Sequence, residues 1–183
     1  PKIEVMASRC REINPEIQVK CDHAFVSNHT VEALITSDLD LVIDCGDNHM
    51  AKSALIAYCR GIHIPIITIG AAGGRIDPSK VRVRDLAKTK GDALLASVRQ
   101  TLRNHYGFSR TPTKGFSVSA VYSDEQTRYH QSDGSIGQQK PESGASRLDC
   151  AGSLGAAAHI TAVFAFHATA KAIERLLTSP LQS

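Results

Sequence analysis

The sequence has no tryptophan, only 5% aromatic residues and no closely spaced pair of cysteines. Its five cysteines are scattered along the chain, and none of them forms a C-x-x-C motif. An odd and scattered set argues against both a disulfide framework and a tetrathiolate zinc site, so we expect no zinc and a reducing, cytoplasmic location. The opening residues Pro1-Lys2-Ile3-Glu4 resemble neither a signal peptide nor a transit peptide.

The sequence also lacks the glycine turn of dinucleotide-binding domains. That turn has the pattern G-x-G-x-x-G, follows a strand and opens a helix whose N-terminus holds phosphates. The glycine-rich segment Gly70–Gly74 precedes a predicted strand instead of a helix, so it is a poor phosphate cradle. Close backbone approach to a ligand or to a subunit partner explains its glycines better. A nicotinamide-dependent dehydrogenase is therefore the least favoured class of enzyme.

Positive charge is scarce in the first part of the chain and concentrated in the middle. Residues 1–74 carry six Lys and Arg against nine Asp and Glu, a net charge of −3. Residues 75–147 carry thirteen against seven, a net charge of +6. An excess confined to one region favours an anionic partner larger than a metabolite. A solvated surface is the other interpretation that charge alone allows.

Hydrophobic periodicity predicts strands and helices in alternation. Apolar residues at intervals of three and four predict a first helix that ends at Asn14-Pro15. A weaker helix around 31–35 has a possible cap at Ser27 or Asn28, and Gly61 closes a later one. The predicted strands are 17–21, 39–44, 64–69, 81–83 and 116–123, and the other predicted helices are 49–60 and 92–107. This order predicts one α/β domain over residues 1–183 with a doubly wound, Rossmann-like parallel sheet.

The last third combines an irregular segment with a strongly apolar helix. Residues 124–152 are rich in Ser, Gly, Gln and charge, and so long a segment without periodicity is expected to be functional or mobile. Residues 153–177 are predicted to form a helix that is nearly uncharged from Leu154 to Ala170. This stretch is just short of bilayer length and contains two histidines and two threonines. We therefore favour burial in the core or at a dimer interface over contact with a membrane.

The candidate chemistry lies after the predicted strand 39–44. Asp44 and Asp47 end this strand, and in open α/β sheets ligands bind beyond the carboxyl ends of the strands. A carboxylate at that position suits a magnesium ion that bridges phosphate oxygens, but Asp47 is an equally good candidate for the N-cap of the next helix. Lys52, one turn into that helix, is predicted to point back toward the strand ends and to meet a phosphate or a substrate carboxylate.

Three strings have a recognisable pattern: Pro1-Lys2-Ile3-Glu4-Val5, Ile13-Asn14-Pro15, and residues 42–48 together with Lys52. These strings resemble the E1-like superfamily of ThiF, MoeB and ubiquitin-activating enzymes. The strings at 54–60, 70–78, 85–89, 131–134 and 149–151 are most similar to the tRNA threonylcarbamoyladenosine dehydratase branch. The similarity to this branch extends over essentially all of the 183 residues.

The resemblance implies an activity, cofactors and partners. Such enzymes use ATP to adenylylate the carboxylate of threonylcarbamoyladenosine (t6A) at position 37 of tRNA, and the product cyclises with loss of AMP. By motif, Lys2 would contact the nucleotide phosphates, Asp47 would hold Mg²⁺, and Lys52 is a position that is usually basic. The family implies a homodimer that is linked to a cysteine-desulfurase sulfur relay. A tRNA substrate would also explain the basic region, from which we select Arg75, Arg82, Arg84 and Lys88 as tRNA contacts.

Two departures from the family pattern affect these expectations. The family's N-terminal unit, with its glycine-rich turn, has no counterpart before Lys2, so we do not expect this chain alone to turn over. The absence of paired C-x-x-C ligands favours the dehydratase over an adenylyltransferase for a ubiquitin-like sulfur carrier, which is the alternative enzyme. A non-catalytic tRNA-binding relative is the other alternative. Cys150 matches a family cysteine, but adenylylation followed by cyclisation needs no thiolate.

Overall fold

The protein is described by a computed structural model that covers residues 1–111, 113–131, 133–139 and 155–178. Its main sheet has four strands in the order β1-β2-β4-β3. Strands β1, β2 and β4 are parallel, and β3 pairs antiparallel with β4. The strands are β1 Val42–Asp44, β2 Ile66–Ile69, β3 Val81–Asp85 and β4 Ser119–Ser123. The predicted α/β class is confirmed, with a mixed sheet whose edge strand is antiparallel.

Helices cover both faces of this sheet. The helices are α1 Lys2–Ile13, α2 Val31–Leu34, α3 His49–Gly61, α4 Ala93–His105 and α5 Ala158–Thr178. Helices α3 and α4 pack on one face, where Ile56, Leu95 and Val118 belong to one buried cluster. Helix α5 packs on the other face over Ile67 and Val121. The doubly wound arrangement is therefore confirmed.

Helix α5 is held by one buried stripe. Ile160, Phe164, Ala168 and Ala172 are spaced four residues apart, so they share a face of the helix, and all four are buried against the sheet. The prediction that this helix packs in the core is confirmed, whereas a dimer interface stays a prediction. Among the residues that the structure describes, no helix has the length and apolar character needed to cross a membrane.

Several predicted boundaries are wrong. Residues 17–21 form no strand, and β1 begins only at Val42. The short helix α2 is preceded by Thr30, not capped by Ser27 or Asn28. Gly61 lies inside α3, and the left-handed residue that follows this helix is His63, with φ of 64°. Residues 155–157 precede α5, which therefore begins later than predicted, and residues 153 and 154 lie outside the described part of the chain.

The irregular segment contains a short hairpin. Strands β5 (Tyr129–His130) and β6 (Ile136–Gly137) pair antiparallel. The hairpin lies next to the glycine-rich turn, because the backbone N–H of Arg128 donates to the carbonyl oxygen of Gly74 at 2.9 Å. The predicted irregular residues 140–152, including Cys150, and Ser132 lie outside the described residues.

Candidate functional site

A buried ion pair lies at the carboxyl end of β1. The Lys52 ammonium is 2.9 Å from the Asp44 carboxylate, and the two side chains are 1% and 5% exposed. Thr68, which neighbours Asp44 in the parallel ladder, donates its hydroxyl to the same carboxylate oxygen at 2.7 Å. Burial of two charges is tolerated only when they are paired and hydrogen-bonded, and both conditions are met here.

The same lysine holds the turn between β1 and α3. Its Nζ donates to the carbonyl oxygens of Asp44 at 3.3 Å and Gly46 at 2.8 Å, in addition to the carboxylate. The Asp44 carboxylate also accepts the Gly46 N–H at 3.1 Å. A lysine ammonium has three donors, and three protein oxygens lie within reach of them. Lys52 points back to the strand end as predicted, but its partners are protein groups.

Asp47 lies at the tip of this turn and is exposed. The N-cap of α3 is Asn48, whose side-chain oxygen accepts the N–H groups of Met50 at 2.9 Å and Ala51 at 3.1 Å. The alternative that Asp47 caps the helix is therefore wrong. Within the described residues no cluster of three metal-binding side chains occurs. Asp47 is an accessible carboxylate at the edge of the sheet where ligands bind in such folds.

Cys45 belongs to the same turn but is a weak nucleophile. Desolvation, and then the negative charge of Asp44, raise the pKa of its thiol. Burial raises the pKa of Cys59 in α3 to about 11. Both thiols are therefore protonated at neutral pH, and reactive cysteines are those with a lowered pKa.

A second network fixes the glycine-rich turn after β2. The Asp92 carboxylate accepts the N–H of Ala71 at 2.9 Å and, as the N-cap of α4, the N–H of Leu95 at 2.9 Å. A Cβ on Gly70 would overlap the Asp92 carboxylate, so only glycine fits there. Gly74 has φ of +68°, and a Cβ on it would lie 2.5 Å from the Arg128 carbonyl oxygen. At both glycines the chain itself approaches closely, and an approach by a ligand or a subunit partner stays a prediction.

Arg75 is an interior residue, which corrects its selection as a tRNA contact. It is 2% exposed, and its guanidinium donates to the carbonyl oxygens of Ala71, Gly91 and Glu125. The Asp92 carboxylate lies 3.8 Å from it. A guanidinium whose donors are used inside the protein holds the turn and cannot contact RNA at the surface.

The other predicted tRNA contacts lie at the surface near the antiparallel edge. Arg82 is partly exposed and lies 3.6 Å from the Asp124 carboxylate. Arg84 is exposed at the far end of β3, and Lys88 is exposed in the 3₁₀ turn that follows. Val81 and Val83 pack toward α5, so Arg82 and Arg84 alternate with them as predicted. Lys2 is exposed in the first turn of α1, a helix in which only Ala7 is buried.

Sequence reasoning missed two residues of these networks. Thr68 gave no signal, because a threonine in a β-branched run is an ordinary strand residue. Asp92 carried a recognisable signal, since it follows Gly91 and precedes a helical pattern, which is typical of an N-cap.

The ThiF family model matches residues 1–181. The chain belongs to the ThiF family. It is 41% identical over 177 residues to tRNA threonylcarbamoyladenosine dehydratase of Escherichia coli. The matched region covers 96% of this chain and 66% of that protein. The enzyme of the same name from Haemophilus influenzae is 40% identical over a region that covers 96% of this chain and 65% of that protein. The chain thus spans slightly less than two thirds of the length of these relatives.

Solved structures and more distant relatives agree with this assignment. The crystal structure of the E. coli dehydratase TcdA in complex with ATP has a TM-score of 0.76 and 36% identity, covering 98% of this chain and 66% of that one. The E. coli sulfur carrier protein ThiS adenylyltransferase is 35% identical over 75 residues, which covers 40% of this chain and 29% of that protein. Similarity to the dehydratases therefore extends over much more of the chain.

Proposed function

We propose that the complete protein uses ATP to activate the carboxylate of t6A at position 37 of tRNA. The carboxylate attacks the α-phosphate and pyrophosphate leaves; ring closure to cyclic t6A then releases AMP. The observation that carries this proposal is the similarity to the E. coli dehydratase across 96% of this chain. Because the chain spans about two thirds of that enzyme, the activity is proposed for the complete protein.

Asp47 is the proposed magnesium ligand. Mg²⁺ in nucleotide sites is typically held by one or two carboxylates together with the phosphates of the substrate. A single exposed carboxylate at the carboxyl edge of the sheet fits that requirement, since the turn leaves Asp47 accessible and gives the cap to Asn48. When bound, the ion would neutralise charge that develops on the phosphate oxygens.

Lys52 is proposed as a positioning residue, and Lys2 as a phosphate contact. The ammonium of Lys52 binds the Gly46 carbonyl oxygen at 2.8 Å, so it fixes the turn that presents Asp47. This replaces the direct contact with substrate that the sequence suggested. Lys2 is exposed in the first turn of α1, where its ammonium is free to reach an anionic ligand.

The proposed partner is tRNA carrying t6A, bound in part by Arg82, Arg84 and Lys88. Arg75 is left out because its guanidinium is buried. The homodimer and the sulfur-relay partner remain proposals that rest on the family resemblance. An adenylyltransferase for a sulfur carrier is less well supported, since its similarity covers only 40% of this chain.

The replacement Asp47→Asn tests this assignment in the complete gene product. We expect the fold to be kept, because Asn48 and not Asp47 caps α3. Loss of a charged ligand should reduce formation of cyclic t6A by roughly a hundredfold or more, on the order of the effect of removing one electrostatic stabiliser. The product is measured by mass spectrometry of tRNA nucleosides.

Asp40→Asn is the matched control, because Asp40 is an exposed carboxylate that precedes the same strand. Normal product formation by Asp47→Asn would refute the metal role. Unmodified protein that binds tRNA but forms no cyclic t6A would instead support the non-catalytic relative. Adenylylation of a carrier protein without any cyclic t6A would support the sulfur-carrier alternative.

A further inference from the structure

A cavity of about 220 Å³ lies between α5 and the β3–β4 ladder. Its walls are Val83 to Asp85, Ser117 to Ser119, Lys171 and Arg175. Ser119 is the first residue of β4 and pairs with Asp85, the last residue of β3. Since β4 is parallel to β1, this cavity lies at the amino edge of the parallel strands, opposite the edge that carries Asp47. A small molecule bound in this cavity would therefore not reach the proposed nucleotide site.

Two basic residues of α5 line one wall of this cavity. Lys171 and Arg175 come from successive turns of α5, whereas Arg84 borders the cavity from the edge strand and its side chain starts from the face opposite α5, since it alternates with Val83. In the part of the chain that the structure describes, Arg84 and Arg175 form no ion pair. Lys171 pairs with Glu174 at 2.6 Å, and its side chain is only 22% exposed. Glu174 therefore offsets one of the two positive charges on α5 and leaves Arg175 without an ion pair.

The acidic group of the wall, Asp85, is occupied by the backbone. One of its carboxylate oxygens accepts the N–H groups of Ala87 and Phe116, each at 2.9 Å. The other accepts the N–H of Ser117 at 2.8 Å. A carboxylate satisfied by three N–H groups has its charge spread over those donors, so it repels an incoming anion less than a free carboxylate would.

The remaining wall suits a small oxyanion. The hydroxyls of Ser117 and Ser119 can donate hydrogen bonds, and arginine binds phosphate oxygens through its planar fork of donors. Drug-sized ligands need pockets of roughly 300–1,000 Å³, so the smaller space here suits a single group such as a phosphate. Arg175 is exposed, which leaves the cavity open to a group carried on a polymer.

We propose that this cavity binds one backbone phosphate of the RNA on which the protein acts. The proposal rests on the proposed tRNA substrate and adds Lys171 and Arg175, which lie far outside the basic region of the sequence. Arg84 lies between the two sets, because its residue borders the cavity while its side chain belongs to the basic face of β3. The phosphate would anchor the RNA backbone at the edge of the sheet that is remote from the chemistry.

The double replacement Lys171→Gln with Arg175→Gln in the complete gene product tests this site. Binding of t6A-containing tRNA is measured across a salt series by filter binding. We expect affinity to fall by about tenfold at low salt, and the slope of log K against log salt to decrease by about 0.9, because one phosphate is no longer neutralised. ATP affinity should not change.

The matched control is Lys20→Gln with Arg60→Gln. Lys20 also pairs with a nearby carboxylate, and Arg60 also lies in the last turn of a helix, so the control removes the same amount of charge. An unchanged slope in the Lys171/Arg175 variant, with only a lower melting temperature, would show that the two residues serve helix stability alone. That result would overturn the phosphate site while leaving the tRNA substrate intact.

A titration with inorganic phosphate, followed by NMR of the serine and arginine groups, separates a free-ion site from an RNA site. Saturable phosphate binding that is lost in the variant, together with unchanged tRNA affinity, would overturn the proposal in favour of a free anion. If the unmodified protein does not bind tRNA, the proposed function itself is refuted. If the unmodified protein binds tRNA and the variant has the same salt slope, only the phosphate site is refuted.

Discussion

The pair formed by Asp44 and Lys52 connects the stability of the protein with its candidate site. Both side chains are almost fully buried, and each is the other's charge partner. Thr68 completes the hydrogen bonding of Asp44, and the Gly46 carbonyl oxygen completes that of Lys52. The pair therefore determines where the turn carrying Asp47 lies, although neither residue is placed to touch a substrate.

Replacement of Lys52 by methionine tests this structural role. The change leaves the Asp44 carboxylate buried without its cation, so we expect the free energy of unfolding to fall by about 3–5 kcal/mol. The double variant Asp44→Asn with Lys52→Met should recover a large part of that loss, because Asn can still accept the Thr68 hydroxyl and no charge stays buried. Urea unfolding of the complete protein measures both values. Equal loss in the single and double variants would contradict the coupling.

At the scale of elements, the sequence predicted the order of helices and strands better than their ends. The helix that ends at Asn14-Pro15 and the strand at Val81 were predicted from local pattern, which is sufficient for a helix stop and for alternation. The strand at 17–21 was wrong because a strand exists only where a neighbour pairs with it, and β1 pairs with β2. Pairing is a non-local property that an alternating pattern alone cannot show.

The glycine-rich turn also depends on contacts that are distant in sequence. Its glycines predicted close approach correctly, but the approaching groups are Asp92 and Arg128, which lie far along the chain. The local sequence predicts a surface position for Arg75, because two of its partners, the carbonyl oxygens of Gly91 and Glu125, are distant in sequence. A basic residue beside a glycine turn thus has no local signal that separates a buried clamp from an RNA contact.

Gly70→Ala tests the steric account of the turn. The added methyl group would overlap the Asp92 carboxylate, which cannot move without losing its bonds to Ala71 and Leu95. We expect a loss of about 1–3 kcal/mol in the free energy of unfolding, as for overpacking in a well-filled interior.

Gly61→Ala is the opposite control, since nothing lies within 4 Å of a Cβ there and the residue is helical. It should stabilise the protein by roughly 0.5–1 kcal/mol, because alanine has the higher helix propensity. Thermal and urea unfolding measure both variants. If Gly70→Ala instead stabilised the protein, the Asp92 carboxylate would be able to move away from the added methyl group at little cost in free energy.

In the whole molecule, the two edges of the sheet carry different sets of charged residues, which the distribution of charge along the sequence does not show. The carboxyl edge of the sheet carries the buried Asp44 and Lys52 pair and the exposed Asp47. The antiparallel edge carries Arg82 and Arg84, and α5 adds Lys171 and Arg175 beside it. Composition located the excess in residues 75–147, but only the fold adds two cations from the C-terminal helix and removes Arg75.

The last prediction concerns this basic edge. If Arg82, Arg84 and Lys88 face tRNA, their joint replacement by alanine should reduce the slope of log K against log salt without a change in ATP affinity. Arg82 already lies 3.6 Å from Asp124, so its charge is partly neutralised within the protein. We therefore expect the slope to decrease by about 2, at about 0.9 for each of the two fully available cations, and Arg82→Ala alone to change it little. Filter binding of t6A-containing tRNA across a salt series measures this, and an unchanged slope in the triple variant would place the tRNA on another surface.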